Sequence, residues 1–136
     1  MPELKSVSRK WIDVQERTFR NWCNSKLKNH PKNIKIEEKL DKVFHDGLNL
    51  IYLIETLDET SFPYDYFKTP RFQLHCHENL SLSLKHLKRS KIKLVNIDYS
   101  DIYDGNLKLI LGLLWQMIKT FDLLKNSDPM QGYSTS

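Results

Sequence analysis

Apolar residues recur at helical spacing in four stretches of the chain, and polar or proline-containing segments separate them. The first stretch consists of Trp11, Val14, Phe19, Trp22, Cys23 and Leu27. This spacing predicts an amphipathic helix that begins at Trp11, because residues 1–10 show no clean period. Pro31 cannot continue a helix, so residues 29–33 are predicted to end it.

Three further helices follow from the same pattern. Apolar positions between Leu40 and Leu57 predict a second helix, for which Asp46 is the expected N-cap. The third helix is predicted from Leu74 to about residue 90, with a stripe made of His77, Leu80, Leu84 and Leu87. The last begins after a cap at Asp104 or Asn106 and runs to about Leu124.

The predicted fold class is all-α, because no strand-like alternation of useful length occurs anywhere in the sequence. A chain of 136 residues has room for one domain with a real core. We expect an N-terminal flank over residues 1–10, the domain over 11–124, and a polar tail or inter-domain linker over 125–136. Residues 58–73 hold two prolines and five aromatic residues without a usable period, which predicts an ordered loop anchored by its rings.

The last helix is apolar over an arc of roughly 240°, which one packing partner cannot cover. Its apolar run contains Lys108 and Gln116 and is far shorter than the roughly 20 residues that span a bilayer. A central helix sandwiched between neighbours is therefore expected, with one polar strip made of Lys108, Gly112, Gln116 and Lys119. Large side chains at helical spacing belong inside, so Phe19, Trp22, Leu114, Trp115 and Ile118 are expected in the core.

Charge and cysteine content indicate the cellular environment of the protein, but they do not identify its partner. The formal net charge is +4, with acidic residues interspersed, so an acidic partner is expected. Nucleic acid, anionic lipid and an acidic protein filament all fit that description. Nucleic acid is not expected as a partner, because the sequence lacks a basic recognition helix and stacking aromatic residues on a basic face. The two cysteines are too few for a disulfide framework and are expected to be reduced core thiols of a cytosolic protein.

Catalytic and metal chemistry find little support in the sequence. His75, Cys76, His77 and Glu78 are consecutive, and consecutive helical side chains point about 100° apart and cannot converge on one ion. The carboxylates of residues 98–105 fall at every third position, whereas a calcium loop needs them at every second, so a capped turn is expected. No glycine-rich phosphate cradle accompanies the cysteines, so no catalytic residue, metal ion or cofactor is predicted.

Two segments carry a family resemblance. Residues 93–118, KLVNIDYSDIYDGNLKLILGLLWQMI, closely resemble a signature of actinin-type actin-binding domains, in which a polar loop ending in Asp-Gly-Asn leads into an apolar helix. Residues 15–24, QERTFRNWCN, fit the other signature at every position, in the correct order and about 70 residues earlier. Between them, HDGLNLIYLIETL and HENLSLSLKHL also resemble the family. The chain resembles a calponin homology domain of the first, N-terminal type, most like that of filamins.

The resemblance implies a compact bundle of four main helices with shorter ones between them, and F-actin binding without catalysis at the cortical actin cytoskeleton. It implies binding through the first helix, the stretch before the third helix, and the loop with the last helix. Within these segments the expected contacts are Lys10, Trp11, Val14, Gln15, Lys68, Arg71, Gln73, His75, Asp98, Tyr99, Asp101, Tyr103, Asn106, Lys108 and Leu109.

One alternative function stays open at this point. Family members that bind actin well usually carry a second calponin homology domain after a short linker. A single domain of this kind can instead act as an adaptor that docks a signalling partner or a microtubule. The presence of both actin signatures favours the filament. The aromatic loop at Phe62, Tyr64, Tyr66 and Phe67 is richer in rings than the family pattern predicts.

Overall fold

The computed structural model describes the backbone of residues 2–124 and the side chains of residues 10–123. The regular secondary structure of this part of the chain is helical, as predicted, and no strand occurs in it. The α-helices are α1 (Pro2–Leu27), α2 (Leu40–Val43), α3 (Leu48–Asp58), α4 (Gln73–Arg89), α5 (Tyr99–Tyr103) and α6 (Leu107–Ile118), and a π-helix (Lys119–Leu124) continues α6. The predicted linker at residues 125–136 lies outside the described residues.

Helix α1 begins at Pro2 rather than at Trp11. Residues 2–10 carry no apolar stripe, so periodicity could not detect these turns, although proline suits the first turn of a helix. At the other end, Asn24 pins the following connector to the helix. Its side-chain amide donates to the Ile36 carbonyl at 3.0 Å, and its oxygen accepts from the Ile36 N–H at 2.7 Å.

The predicted second helix, with its N-cap expected at Asp46, corresponds to α3, and the apolar residues before it belong in part to a separate short helix, α2. Gly47 lies between the two helices with a φ of +83° and is the N-cap of α3, one residue after the expected cap. Asp46 lies one residue before this N-cap, and its carboxylate accepts a hydrogen bond from the Leu48 N–H at 2.9 Å. A side chain at position 47 would meet the Asn79 Cβ at 2.6 Å, so the close approach of α4 also requires glycine there.

Helix α6 occupies the centre of the fold, as its apolar arc predicted. Its buried residues are Ile110, Leu111, Leu113, Leu114, Met117 and Ile118. Helices α1, α2 and α5 pack against it, and the π-helix continues its C-terminal end. Asn106 caps its first turn by accepting from the Leu109 N–H at 3.4 Å, which confirms one of the two predicted caps.

The aromatic loop before α4 is ordered by one buried ring and one buried amide. Phe62 is buried, and Tyr64 and Tyr66 meet its ring edge-on at 5.6 and 5.8 Å. Asn79 is fully buried and bonds both backbone groups of Phe67, at 2.8 and 2.9 Å. The abundance of rings in this loop therefore has a packing explanation.

The π-helix is fastened to α1 through Asp122. The Trp22 indole N–H donates to one carboxylate oxygen at 2.6 Å, and the Lys26 ammonium pairs with the other at 2.8 Å. Partial burial alone would raise the pKa of Asp122, but these two hydrogen bonds and the Lys26 charge outweigh it, so the pKa lies below its usual value.

We predict opposite effects of alanine at two glycines. Gly47→Ala should lower the free energy of unfolding by at least about 2 kcal/mol, because it forces a positive φ and a clash with Asn79. Gly112→Ala should raise it by about 0.5–1 kcal/mol, because position 112 lies inside α6 with nothing within 4 Å of an added Cβ. Urea unfolding measures both, and equal stabilities would contradict the prediction.

We predict an acid-dependent contribution from Asp122. A lowered carboxyl pKa stabilises the fold above the unfolded value of about 4, and this stabilisation is lost as the pH falls through the folded pKa. The stability difference between the wild type and Asp122→Asn should therefore be constant near neutrality and shrink below about pH 4. Urea titrations across this range measure it, with Asp65→Asn, at an exposed carboxylate, as the control. A difference independent of pH would refute it.

Candidate functional site

The first and last helices of the domain form a surface groove that joins two segments distant in sequence. Helix α1 contributes Trp11, Val14 and Gln15, and α6 contributes Lys108 and Trp115. The groove has a volume of about 550 Å³ and a largely apolar lining. Trp11 is 64% exposed and Val14 50% exposed, so the apolar side chains on its α1 side are open to solvent. We call it the α1/α6 groove.

Trp115 lies in this groove, and the expectation that it is a core residue was wrong. Its side chain is 42% exposed and stacks on the Phe19 ring at 6.4 Å. Steps of three or four residues from Trp115 lead to Gly112 and Lys119, which place it on the predicted polar strip of α6. The Lys119 ammonium lies 5.8 Å from the centre of its ring. The burial of Trp115 is therefore better predicted by its position on the helix than by its size.

The other expected core residues lie inside, fully or partly. Leu114 is completely buried and Ile118 nearly so. Phe19 and Trp22 are partly buried and pack against the core cluster. The indole N–H of Trp22 is satisfied by the bond to Asp122, as a partly buried tryptophan requires.

A second surface is built where α5 packs against the first half of α4. His77 of α4 contacts the rings of Tyr99 and Tyr103, with centroid distances of 4.8 and 4.5 Å. His45 stacks on the other side of Tyr103 at 4.2 Å and bonds its carbonyl at 2.8 Å. Both tyrosines are therefore only partly exposed. We call this region the α4/α5 ledge.

The polar residues at the start of α5 and of α6 have structural roles that the sequence alone did not reveal. Asp98 and Asp101 form a reciprocal capping box at the start of α5, with the Asp101 carboxylate accepting from the Asp98 N–H at 2.9 Å. Asn106 caps α6, and Leu109 is partly buried. The expected capped turn at residues 98–105 is thus a short helix, and Lys108 is the exposed residue beyond it with no such duty.

The stretch before α4 presents basic and apolar side chains together. Lys68, Arg71 and Gln73 are exposed, as expected for a contact surface. His75 is less free, because it stacks on Phe67 at 4.0 Å and its Nδ1 accepts from the Arg71 N–H at 3.1 Å.

Sequence reasoning missed two of the most exposed apolar residues at this point. Phe72 is 67% exposed and Leu74 is 73% exposed. The sequence did contain a signal for Leu74, since steps of four and seven residues lead to Glu78 and Ser81 on the polar side of α4. Both residues extend the surface formed by Lys68 and Arg71.

All fifteen expected contact residues lie at least partly at the surface. Lys10 is exposed on α1, one residue before Trp11. The structure brings Trp11, Val14, Gln15 and Lys108 together in the α1/α6 groove. It places His75, Tyr99 and Tyr103 in ring clusters on α4 and α5.

The described residues offer little for covalent or metal chemistry. Burial raises the pKa of the Cys23 thiol to about 12, and burial likewise raises that of Cys76. Both thiols are buried and remain protonated at neutral pH. Within residues 10–123 no three side chains of His, Cys, Asp or Glu are placed to hold a metal ion. No helix in the described part of the chain is long and apolar enough to cross a membrane.

We predict that adjacent residues on α6 differ sharply in their effect on stability. Leu114→Ala should lower the free energy of unfolding by about 2–5 kcal/mol, because Leu114 is completely buried. Trp115→Ala should cost about 1 kcal/mol or less, because the indole is half open to solvent. Chemical denaturation of both variants measures this. A larger loss for Trp115→Ala would mean that the groove is closed in solution.

Comparison with known proteins identifies the family of this fold. The family model of the calponin homology (CH) domain matches residues 13–122. Similar proteins include Filamin-A of Drosophila melanogaster, 43% identical over 113 residues, and Filamin-C of Rattus norvegicus, 41% identical over 113 residues. Alpha-actinin-like protein 1 of Schizosaccharomyces pombe is 39% identical over 113 residues.

Each of these matches covers 83% of the chain but only 5%, 4% and 18% of the respective relative. The chain thus corresponds to a small part of much longer proteins. The matched region extends from the first half of α1 through α6 into the π-helix, so it includes residues from both walls of the α1/α6 groove, whereas Trp11 precedes it. The chain belongs to the calponin homology (CH) domain family.

Proposed function

We propose that this CH domain binds F-actin without catalysis, as part of a filamin-like cytoskeletal protein of the cytoplasm. The α1/α6 groove and the neighbouring α5 region form the contact surface. Membership of the CH family and the similarity to filamins and alpha-actinin-like proteins support this proposal. The proposed function is protein binding, because the described residues of this surface combine apolar side chains with charged side chains at the rim.

The observation that carries the proposal is the joining of two distant segments in one groove. Trp11 and Val14 belong to the first helix, whereas Lys108 and Trp115 belong to the last, and all four line the same groove. Exposed tryptophan and valine side chains leave apolar area open that a partner can cover. Aromatic anchors surrounded by polar groups are typical of protein interfaces.

The basic residues on this side of the molecule fit an acidic filament. Lys108 is exposed on the rim of the groove, and Lys68 and Arg71 are exposed before α4. Positive rim charges speed encounter with an acidic partner and make binding depend on salt. We therefore assign the groove the main apolar contacts and the Lys68–Arg71 stretch a supporting electrostatic role.

A second CH domain is a proposed partner in the full-length protein. The curated relatives are many times longer than this chain, which leaves room for further domains in them. We expect tighter binding to filaments when such a neighbour is present, because two linked contacts raise the effective concentration.

Co-sedimentation of the purified chain with F-actin at low and moderate salt tests the proposal. Saturable pelleting that weakens at higher salt is expected. Lys108→Glu should weaken binding about three- to tenfold, because it places a negative charge on the groove rim opposite an acidic filament. Trp11→Ala should weaken binding at both salt concentrations, because it removes apolar contact area.

Lys35→Glu is the matched control, since Lys35 is exposed and belongs neither to the α1/α6 groove nor to the Lys68–Arg71 stretch. Circular dichroism of each variant verifies the fold. Equal losses for Lys35→Glu and Lys108→Glu would show that only net charge matters and would contradict the assigned surface. Pelleting with microtubules but not with F-actin would overturn the proposal in favour of an adaptor.

A further inference from the structure

The end of α4 carries the densest positive charge in the chain, on a surface that the proposed function does not use. Five basic residues, Lys85, Lys88, Arg89, Lys91 and Lys93, lie within nine positions, and no acidic residue occurs between Glu78 and Asp98. All five side chains are exposed. We call this group the basic cap.

The local structure holds the members of the basic cap together. Lys85 and Arg89 are one turn apart and both lie over the Tyr64 ring, at 5.1 and 5.7 Å. Arg89 also donates to the Tyr64 hydroxyl at 2.7 Å. The chain then turns back over the helix end, where the Ile92 N–H bonds the Leu87 carbonyl at 3.0 Å.

Lys91 takes the left-handed conformation of this turn, with a φ of +65°. Glycine is the usual residue at such a position, and a lysine there costs stability.

Helix stability explains only part of this concentration of charge. Lys88 and Arg89 in the last turn are favourable for the helix dipole. Lys91 and Lys93 follow the helix and gain little from that effect. None of the five pairs with a carboxylate among the described side chains, whose ion pairs involve Arg20, Lys26, His30 and His86. The five charges are therefore available to a partner.

We propose that the basic cap binds the surface of a bilayer that contains anionic phospholipids. Four of its five residues are lysines, which act as point charges and need no fixed acceptor geometry. A diffuse negative surface meets that requirement, because it attracts every lysine or arginine held near it. Val95 is 52% exposed two residues after Lys93 and adds an apolar contact at the same edge.

Nucleic acid fits this surface less well. Single strands bind by stacking bases on aromatic rings within a basic groove. The ring available here is that of Tyr64, and Lys85 and Arg89 already lie over it. The aromatic group thus orders the charges and does not offer an open stacking face.

The helical part of the basic cap is separated along α4 from the surface proposed for actin. His77 marks the α4/α5 ledge, and Arg89 lies twelve residues further along the same helix. At 1.5 Å per residue this corresponds to roughly 18 Å along α4. A bilayer at one end of α4 and a filament at the other can therefore be bound independently, so the inference goes beyond the proposed function.

Co-sedimentation with vesicles tests the proposal, with phosphatidylcholine vesicles compared with vesicles that also contain phosphatidylserine. The chain should pellet only with the second kind, and less at higher salt. The triple variant Lys88→Gln, Lys91→Gln and Lys93→Gln leaves the contacts of Tyr64 unchanged. It should bind the anionic vesicles at least about tenfold more weakly, since three lysines near the membrane are lost.

The matched control is Lys28→Gln, Lys35→Gln and Lys39→Gln, which removes the same charge from exposed positions elsewhere. It should retain most of the binding. Failure of the wild-type chain to bind anionic vesicles, or equal losses in both triple variants, would overturn the proposal. Parallel pelleting with F-actin separates the two assignments. A basic-cap variant that loses actin but not vesicles would place this surface on the filament instead.

Discussion

The structure depends on covering a helix that is apolar on most of its circumference. Helix α6 buries side chains that point in several directions, among them Ile110, Leu113 and Met117. A single neighbouring helix covers one stripe only, so α1, α2 and α5 all pack against it. The one strip left uncovered runs along Lys108, Gly112 and Trp115. The groove proposed as a binding surface is thus the place where the packing of the central helix is incomplete.

Buried polar groups hold the long connections in place around this core. Glu16 is nearly fully buried, and its carboxylate accepts from the Leu40 N–H at 3.1 Å and from Arg20 at 3.0 Å. The Glu55 carboxylate bonds His30 at 2.9 Å and the Phe62 N–H at 2.9 Å. Each of these carboxylates joins two segments at once. Its hydrogen bonds offset the free-energy cost of removing the charged group from water. The short helices and the aromatic loop owe their positions to such contacts.

Sequence periodicity predicted the parts of the fold whose formation is governed by a single helix face. It located α4 and α6, the all-α class and the Asn106 cap, because these depend on residues close in sequence. It did not distinguish the short helix α2 from α3, and it gave no sign that the approach of Asn79 from α4 requires glycine at position 47. It missed the early start of α1 as well, because polar helical turns carry no stripe. Local patterns do not contain the positions of neighbours, so they could not reveal the contact between position 47 and Asn79.

The same distinction applies to the candidate site. The sequence identified segments that lie at the surface, yet it could not tell which residues in them are engaged in holding the loop. Asp98 and Asp101 cap α5 reciprocally, so their carboxylates are committed to the backbone.

Conversely, the size of Trp115 suggested burial, whereas its position beside Gly112 and Lys119 exposes it. A residue of α6 is free to bind a partner when it faces the uncovered strip, whatever its size or polarity. The geometry of packing around α6 therefore determines which of its residues are open to a partner.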